Sequence, residues 1–141
     1  MWQRIGETER ALRGVVRQTY AERFGRDARS RIEATLNDGE RERLARALRS
    51  LPSDADPLRV VDYLYLAQLP PLLFMNDVWS EAKTRLRAGA DFKDKLRSAV
   101  EQIAPVRNEI AHVREVSPDR LQRANVACGD VLRMLQVTRV E

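Results

Sequence analysis

The chain has 141 residues, 43% of them hydrophobic, which is enough for one core and sets the expectation of a single domain over 1–141. Lys and Arg total 25 against 21 Asp and Glu, a net charge of +4. One cysteine (Cys128) and one histidine (His112) exclude an internal disulfide, a cysteine-based zinc site and a metal site built on two histidines of one chain, while the absence of a signal-peptide core and of any ~18-residue apolar run sets the expectation of a soluble, cytoplasmic protein.

The apolar spacing is helical almost everywhere. Ile5, Leu12, Val15, Val16, Tyr20 and Phe24 recur mostly at three- and four-residue steps, and Gly25 stops this first helix. A second stretch runs from about Asp27 to Leu36. Asn37-Asp38-Gly39 breaks it, and Asp38 is the expected cap of a third helix from Glu40 to about Leu51. The segment Leu51-Pro52-Ser53-Asp54-Ala55-Asp56-Pro57 reads as a loop, with Asp56-Pro57 as an N-cap and first helical proline. Leu58 to Gln68 is expected as one central helix. Pro70-Pro71 predicts a break, Leu72 to Arg87 a further helix ended by Gly89, and Phe92 to Ala104 another. Pro105 either kinks that helix or starts a new one, and the pattern then continues to about Glu115. Ser117-Pro118-Asp119 caps a last helix to about Thr138, with Ala124, Cys128, Val131 and Leu135 inward. No strand pattern competes, so the expected fold is an all-α compact helical bundle.

Gly14 and Gly129 fall inside helices, either as tolerated positions or as a close approach of the first and last helices. Trp2, Tyr63, Tyr65, Phe74 and Trp79 read as core residues rather than base-stacking platforms, and Cys128 as a small core residue.

The segment from Pro105 to Glu115 carries the most chemistry. Ile103, Val106, Ile110 and Val113 make an inward stripe at helical spacing. On the same wheel Asn108, His112 and Glu115 point the other way, with Arg107 at the margin. Asn108 and His112 stand four apart, so the amide is in reach of the imidazole and can orient it. An ordinary solvated histidine remains the bland alternative.

Arg107-Asn108-x-x-x-His112 resembles the R-x(4–6)-H motif of the HEPN superfamily, including the polar residue after the Arg. Ile5-Gly6-Glu7-x-Glu9-Arg10-x-Leu12-Arg13 and Asp62-Tyr63-Leu64-Tyr65-Leu66-x-Gln68-Leu69 extend the resemblance over nearly the whole chain. They point to the branch that follows PIN nuclease domains in some eukaryotic proteins and recurs in bacterial toxin and defence loci. The resemblance implies a HEPN-type helical bundle and metal-independent cleavage of RNA with no cofactor. The ribose 2′-OH is the nucleophile and the products are a 2′,3′-cyclic phosphate and a 5′-OH. Under that implication His112 is the base or acid, Arg107 holds the phosphate, and Asn108 positions the histidine or donates to phosphate. The family also commonly pairs two copies so that their motifs face one cleft. A homodimer is therefore expected, in line with one His per chain and the small residue Ala111 on the motif's polar face. A monomer is the alternative, with His112 working alone or not at all.

Of the basic residues, 22 are Arg, a bias that fits either a GC-rich genome or phosphate recognition. Arg114, Arg120 and Arg123 flank the motif and are candidates for RNA-backbone contacts, against a plain surface role. Arg41, Arg43, Arg46 and Arg49 alternate with Glu40 and Glu42 as a solvated face. Glu7 or Glu9 is a possible partner of Arg107, with a surface glutamate as the simpler expectation. The partners expected are RNA and a second copy, with an antitoxin or a fused domain in some contexts. Two other readings compete: a non-catalytic HEPN module for dimerisation or RNA/nucleotide binding within a larger protein, and a plain helical adaptor.

Overall fold

The long run of three- and four-residue apolar steps at the start of the chain folds as one helix, α1 (Trp2–Phe24), in a computed structural model that describes residues 2–52 and 55–136. Ile5, Leu12, Val16 and Tyr20 are almost fully buried along it. Each such side chain contributes about 1.5–3 kcal/mol on burial, so α1 is the axis around which the other helices gather. Gly25, at φ +55°, ends it in a conformation that costs glycine little. A 3-10 turn (Gly25–Asp27) leads into α2 (Ala28–Ala34).

α3 spans Asp38–Leu48, and its cap is Asn37 rather than Asp38. The Asn37 side chain accepts from the Glu40 N–H at 2.8 Å, and the Glu40 carboxylate accepts from the Asn37 N–H at 2.9 Å. This reciprocal box satisfies two otherwise orphaned donors, and it needs the carboxamide one residue earlier than expected.

The expected helix from Leu58 to Gln68 is not one. It is two 3-10 turns, Pro57–Tyr63 and Leu66–Gln68, separated by extended backbone at Leu64 and Tyr65. The backbone there is committed to side chains instead of a helical ladder. The Leu64 carbonyl accepts from Arg13 Nη2 at 2.9 Å, and the Tyr65 N–H donates to Gln68 Oε1 at 2.6 Å. Val60, Val61, Leu64 and Leu66 are nevertheless buried, so the apolar content was a sound guide to burial but not to helix type.

Pro70 and Pro71 do not break a helix. They occupy the first turn of α4 (Leu69–Phe74), where a missing N–H leaves no bond unmade. The chain turns at Met75 (φ −57°, ψ 140°), which separates α4 from α5 (Asn76–Leu86). α5 ends on Arg87 at φ 52° rather than at Gly89. The Tyr20 hydroxyl donates to the Leu72 carbonyl at 2.6 Å and ties α1 to α4.

α6 (Phe92–Ala111) runs uninterrupted through Pro105, and α7 (Pro118–Gln136) returns beside it. Lys95 and Met134 line one end of the groove between them, and Pro105 and Arg120 a hollow at the other, so the pair is antiparallel. Ser117 Oγ accepts from the Arg120 N–H at 3.2 Å and caps α7 as the Ser-Pro-Asp pattern predicts. The described residues hold seven α-helices and no strand, the expected all-α bundle. Among them no helix is long and apolar enough to cross a membrane. Ser53, Asp54 and the expected last turn to Thr138 lie outside the described residues.

Cys128 is fully buried, as expected, and burial pushes its thiol up from the ordinary range. Gly14 has open space where a Cβ would stand, so it marks no close helix approach. At Gly129 a Cβ would stand 3.0 Å from Arg4 Nη2, so α1 does cross α7 there, through a guanidinium.

Candidate active site

Arg107 lies on α6, one turn before its end, and its guanidinium reaches α1. Arg107 Nε donates to Glu9 Oε1 at 2.8 Å. Glu9 Oε2 accepts from Arg13 Nη1 at 2.9 Å, and Arg13 Nη2 continues to the Leu64 carbonyl. One carboxylate thus joins two guanidinium groups from two helices and fastens both to Leu64, just after the Pro57–Tyr63 3-10 turn. The expectation of a surface glutamate is corrected here. Glu9 is buried, at 7% exposure, because its i, i+4 partner Arg13 and the incoming Arg107 satisfy both of its oxygens. Glu7 is exposed and, among the described residues, forms no ion pair.

The Arg107 side chain is 34% exposed. Only its Nε is engaged, and no acceptor among the described residues bonds to either terminal nitrogen. Its guanidinium also lies 5.7 Å from the Trp2 ring centroid. Trp2 is not a core residue. It is 52% exposed at the start of α1, and Tyr65 is 58% exposed.

His112 stands one residue beyond the end of α6 and is exposed. Its N–H donates to the Asn108 carbonyl at 3.1 Å, so the backbone is still close to helical. No side-chain hydrogen bond joins Asn108 to His112, and the Asn108 side chain is exposed. The helix ends because Val113 turns left-handed, at φ 56°. The Arg114 N–H then closes on the Glu109 carbonyl at 2.8 Å and the Val113 N–H on Ile110 at 3.0 Å. That turn normally takes glycine; here a β-branched residue holds it, with its side chain 94% exposed. Val113 therefore leaves the expected inward stripe, and Glu115 falls outside the helix, off the face it was expected to share with His112.

Arg107 and His112 are five residues apart, roughly 140° around a helix. A groove of about 630 Å³ runs between α6 and α7, lined by Lys95, Gln102, Val126 and Met134 among others, and neither Arg107 nor His112 lines it. They also do not line the hollow at Pro105. Of the flanking arginines, Arg120 Nη1 bonds both oxygens of Glu109 at 2.8 and 2.9 Å, and Arg123 pairs with Asp119 at 2.7 Å. Arg114 is exposed and, among the described residues, carries no ion pair. Among the described residues no group of three or more His, Cys, Asp or Glu side chains is placed to hold a metal ion.

Sequence reasoning missed Arg13 and the Leu64 carbonyl as parts of this network. The Glu9–Arg13 spacing of four was visible, but nothing in a linear sequence says that the same carboxylate also receives Arg107 from 98 residues away. No protein-family model matches the chain, and no curated protein or solved structure matches it either.

Proposed function

We propose that the protein is a HEPN-type, metal-independent endoribonuclease, acting as a toxin or defence effector. One observation carries the reading: Arg107 is clamped through its Nε by a buried carboxylate while both terminal nitrogens stay open, five residues before an exposed imidazole. A guanidinium held in this way presents a preorganised fork to a phosphate. The three sequence segments behind the HEPN resemblance also converge on that carboxylate, through Glu9 and Arg13, Leu64, and Arg107.

The chemistry follows from these groups. An imidazole exchanges a proton near neutral pH, so His112 takes the proton from the ribose 2′-OH. The freed oxygen attacks the adjacent phosphorus. Arg107 neutralises charge building on the nonbridging oxygens, and the departing 5′-oxygen takes a proton from a second imidazole. The products are a 2′,3′-cyclic phosphate and a 5′-OH. DNA lacks the nucleophile, so the activity is confined to RNA. The second imidazole comes from a second copy. An isologous pair about the end of α6 brings two His112 and two Arg107 side chains to one cleft.

One observation favours a second reading, a non-catalytic HEPN module that binds RNA or dimerises: neither the groove between α6 and α7 nor the hollow at Pro105 is lined by Arg107 or His112. Labelled RNA incubated with the protein in EDTA separates the two. Cleavage by wild type that is lost in both Arg107→Ala and His112→Ala supports the enzyme. Salt-sensitive binding without cleavage supports the module and removes the enzyme. Relief of growth arrest by His112→Ala on expression supports the effector role.

A further inference from the structure

Among the described residues, two aromatic side chains are exposed, Trp2 and Tyr65, and they stand at the two ends of the Arg107–Glu9–Arg13 network. At one end the Arg107 guanidinium lies 5.7 Å from the Trp2 ring. At the other, Arg13 holds the carbonyl of Leu64, the residue before Tyr65, and the Arg43 guanidinium sits 3.8 Å over the Tyr65 ring. Tyr65 is also fixed through its backbone. Gln68 Oε1 accepts its N–H, and Gln68 Nε2 donates to Glu40 at 2.9 Å. Each of the two residues is more than half exposed, and each ring is held beside a cation.

An aromatic ring with a guanidinium at its edge or face matches a nucleotide, which has a flat base and an anionic phosphate a few ångströms away. A duplex hides its base faces in the stack, so two separate exposed platforms suit unpaired bases only. The charge balance agrees. Glu9 and Glu40 set two carboxylates against the three guanidinium groups of Arg13, Arg43 and Arg107, and among the described residues Arg43 forms no ion pair, which leaves the face cationic.

We propose that this face binds single-stranded RNA by stacking one unpaired base on Trp2 and another on the Tyr65–Arg43 pair, with the phosphate between them on the open side of Arg107. The inference rests on the reading of Arg107 as a phosphate-binding group, and it specifies the substrate as a loop, end or unstructured strand. It also gives Trp2 and Tyr65 a role in substrate binding that neither has in the fold.

The test uses the full chain and a fluorescent 2′-O-methyl RNA dodecamer, which lacks the nucleophile and so reports binding without cleavage. Wild type should bind the single strand more tightly than the same strand annealed to its complement. Trp2→Ala and Tyr65→Ala should each weaken single-strand binding on the order of tenfold, and Trp2→Phe should retain most of it. The oligonucleotide should quench tryptophan emission in wild type but not in Trp2→Phe, where half-buried Trp79 is the remaining indole. Equal affinity for single strand and duplex, unchanged affinity in both alanine variants, or no binding by wild type would each overturn the proposal. The nuclease reading fails separately. Stacking-dependent binding with no cleavage of the unmodified dodecamer leaves this site standing and removes the enzyme. Cleavage at wild-type rate by both alanine variants does the reverse.

Discussion

Replacing Glu9 by Gln tests whether the buried carboxylate is what holds α1, α6 and the Leu64 loop together. Glu9 accepts two charge-assisted hydrogen bonds, from Arg107 Nε and Arg13 Nη1, at 2.8 and 2.9 Å. The amide keeps the shape but turns one accepting oxygen into a donor, which must then face a guanidinium N–H. Each bond to a charged group is worth about 1.5–3 kcal/mol when buried. Arg107 is 34% exposed and water recovers part of its loss, whereas Arg13, at 15%, recovers less. The expected destabilisation is about 2–3 kcal/mol, which for a chain of this size lowers Tm by roughly 6–9 °C. Thermal and urea unfolding of Glu9→Gln, Arg107→Gln and the double variant close a cycle, with an expected coupling of about 1–2 kcal/mol. The same cycle with Arg13→Gln should give the larger coupling, because that pair is drier. Additive effects in both cycles, or a Tm drop below about 2 °C for Glu9→Gln, would refute the view that this carboxylate organises the site.

Val113→Gly should raise stability by about 0.5–1 kcal/mol, since it relieves a left-handed β-branched residue and gives up no buried surface; a fall in Tm would show that the side chain is covered in solution. Tyr20→Phe should cost about 1–2 kcal/mol through the unpaired Leu72 carbonyl, read by urea unfolding. It should also change the alkaline limb. Burial, with the Asp77 carboxylate adding, raises the Tyr20 phenol above its ordinary 10.0 in the folded chain, against the opposing pull of Arg31. A raised folded value means that this contribution is complete below about pH 10 and is lost as the unfolded phenol ionises above it. Wild-type Tm should therefore fall more between pH 9 and 11 than that of Tyr20→Phe. Asn37→Ala removes the cap of α3 and should lower stability by about 1 kcal/mol, whereas Asn37→Asp should be close to neutral in the same melts.

Much of the fold was legible because the main helices bury one continuous stripe each. α1, α6 and α7 follow apolar spacing and caps that act over a few residues, such as Gly25 and Ser117. Where the sequence misled, side chains took backbone groups that a helix would use. Leu58 to Gln68 has the apolar content of a helix, but Arg13 claims the Leu64 carbonyl and Gln68 the Tyr65 N–H, and the chain is extended between them. Pro70-Pro71 predicts a break, but two prolines are equally compatible with a helix's first turn, where the structure places them after the Leu66–Gln68 3-10 turn. For the candidate site, the motif spacing located Arg107 and His112. The helical wheel could not foresee that α6 ends at Ala111, because no glycine marks the left-handed turn at Val113. Nor could it reveal the exposure of Trp2, whose side chain lies at the first turn of α1, beside Arg107 rather than under a neighbouring helix.

In the proposed reaction Arg107 and His112 act on a phosphodiester through the neighbouring ribose hydroxyl. The most direct measurement is the chemistry of the ends left when the protein cuts an RNA strand in EDTA. Expected are a 2′,3′-cyclic phosphate on one fragment and a 5′-OH on the other, with protection of any linkage whose 2′-OH is replaced by hydrogen. Fragments ending in 3′-OH and 5′-phosphate, or cutting that survives His112→Ala, would contradict it.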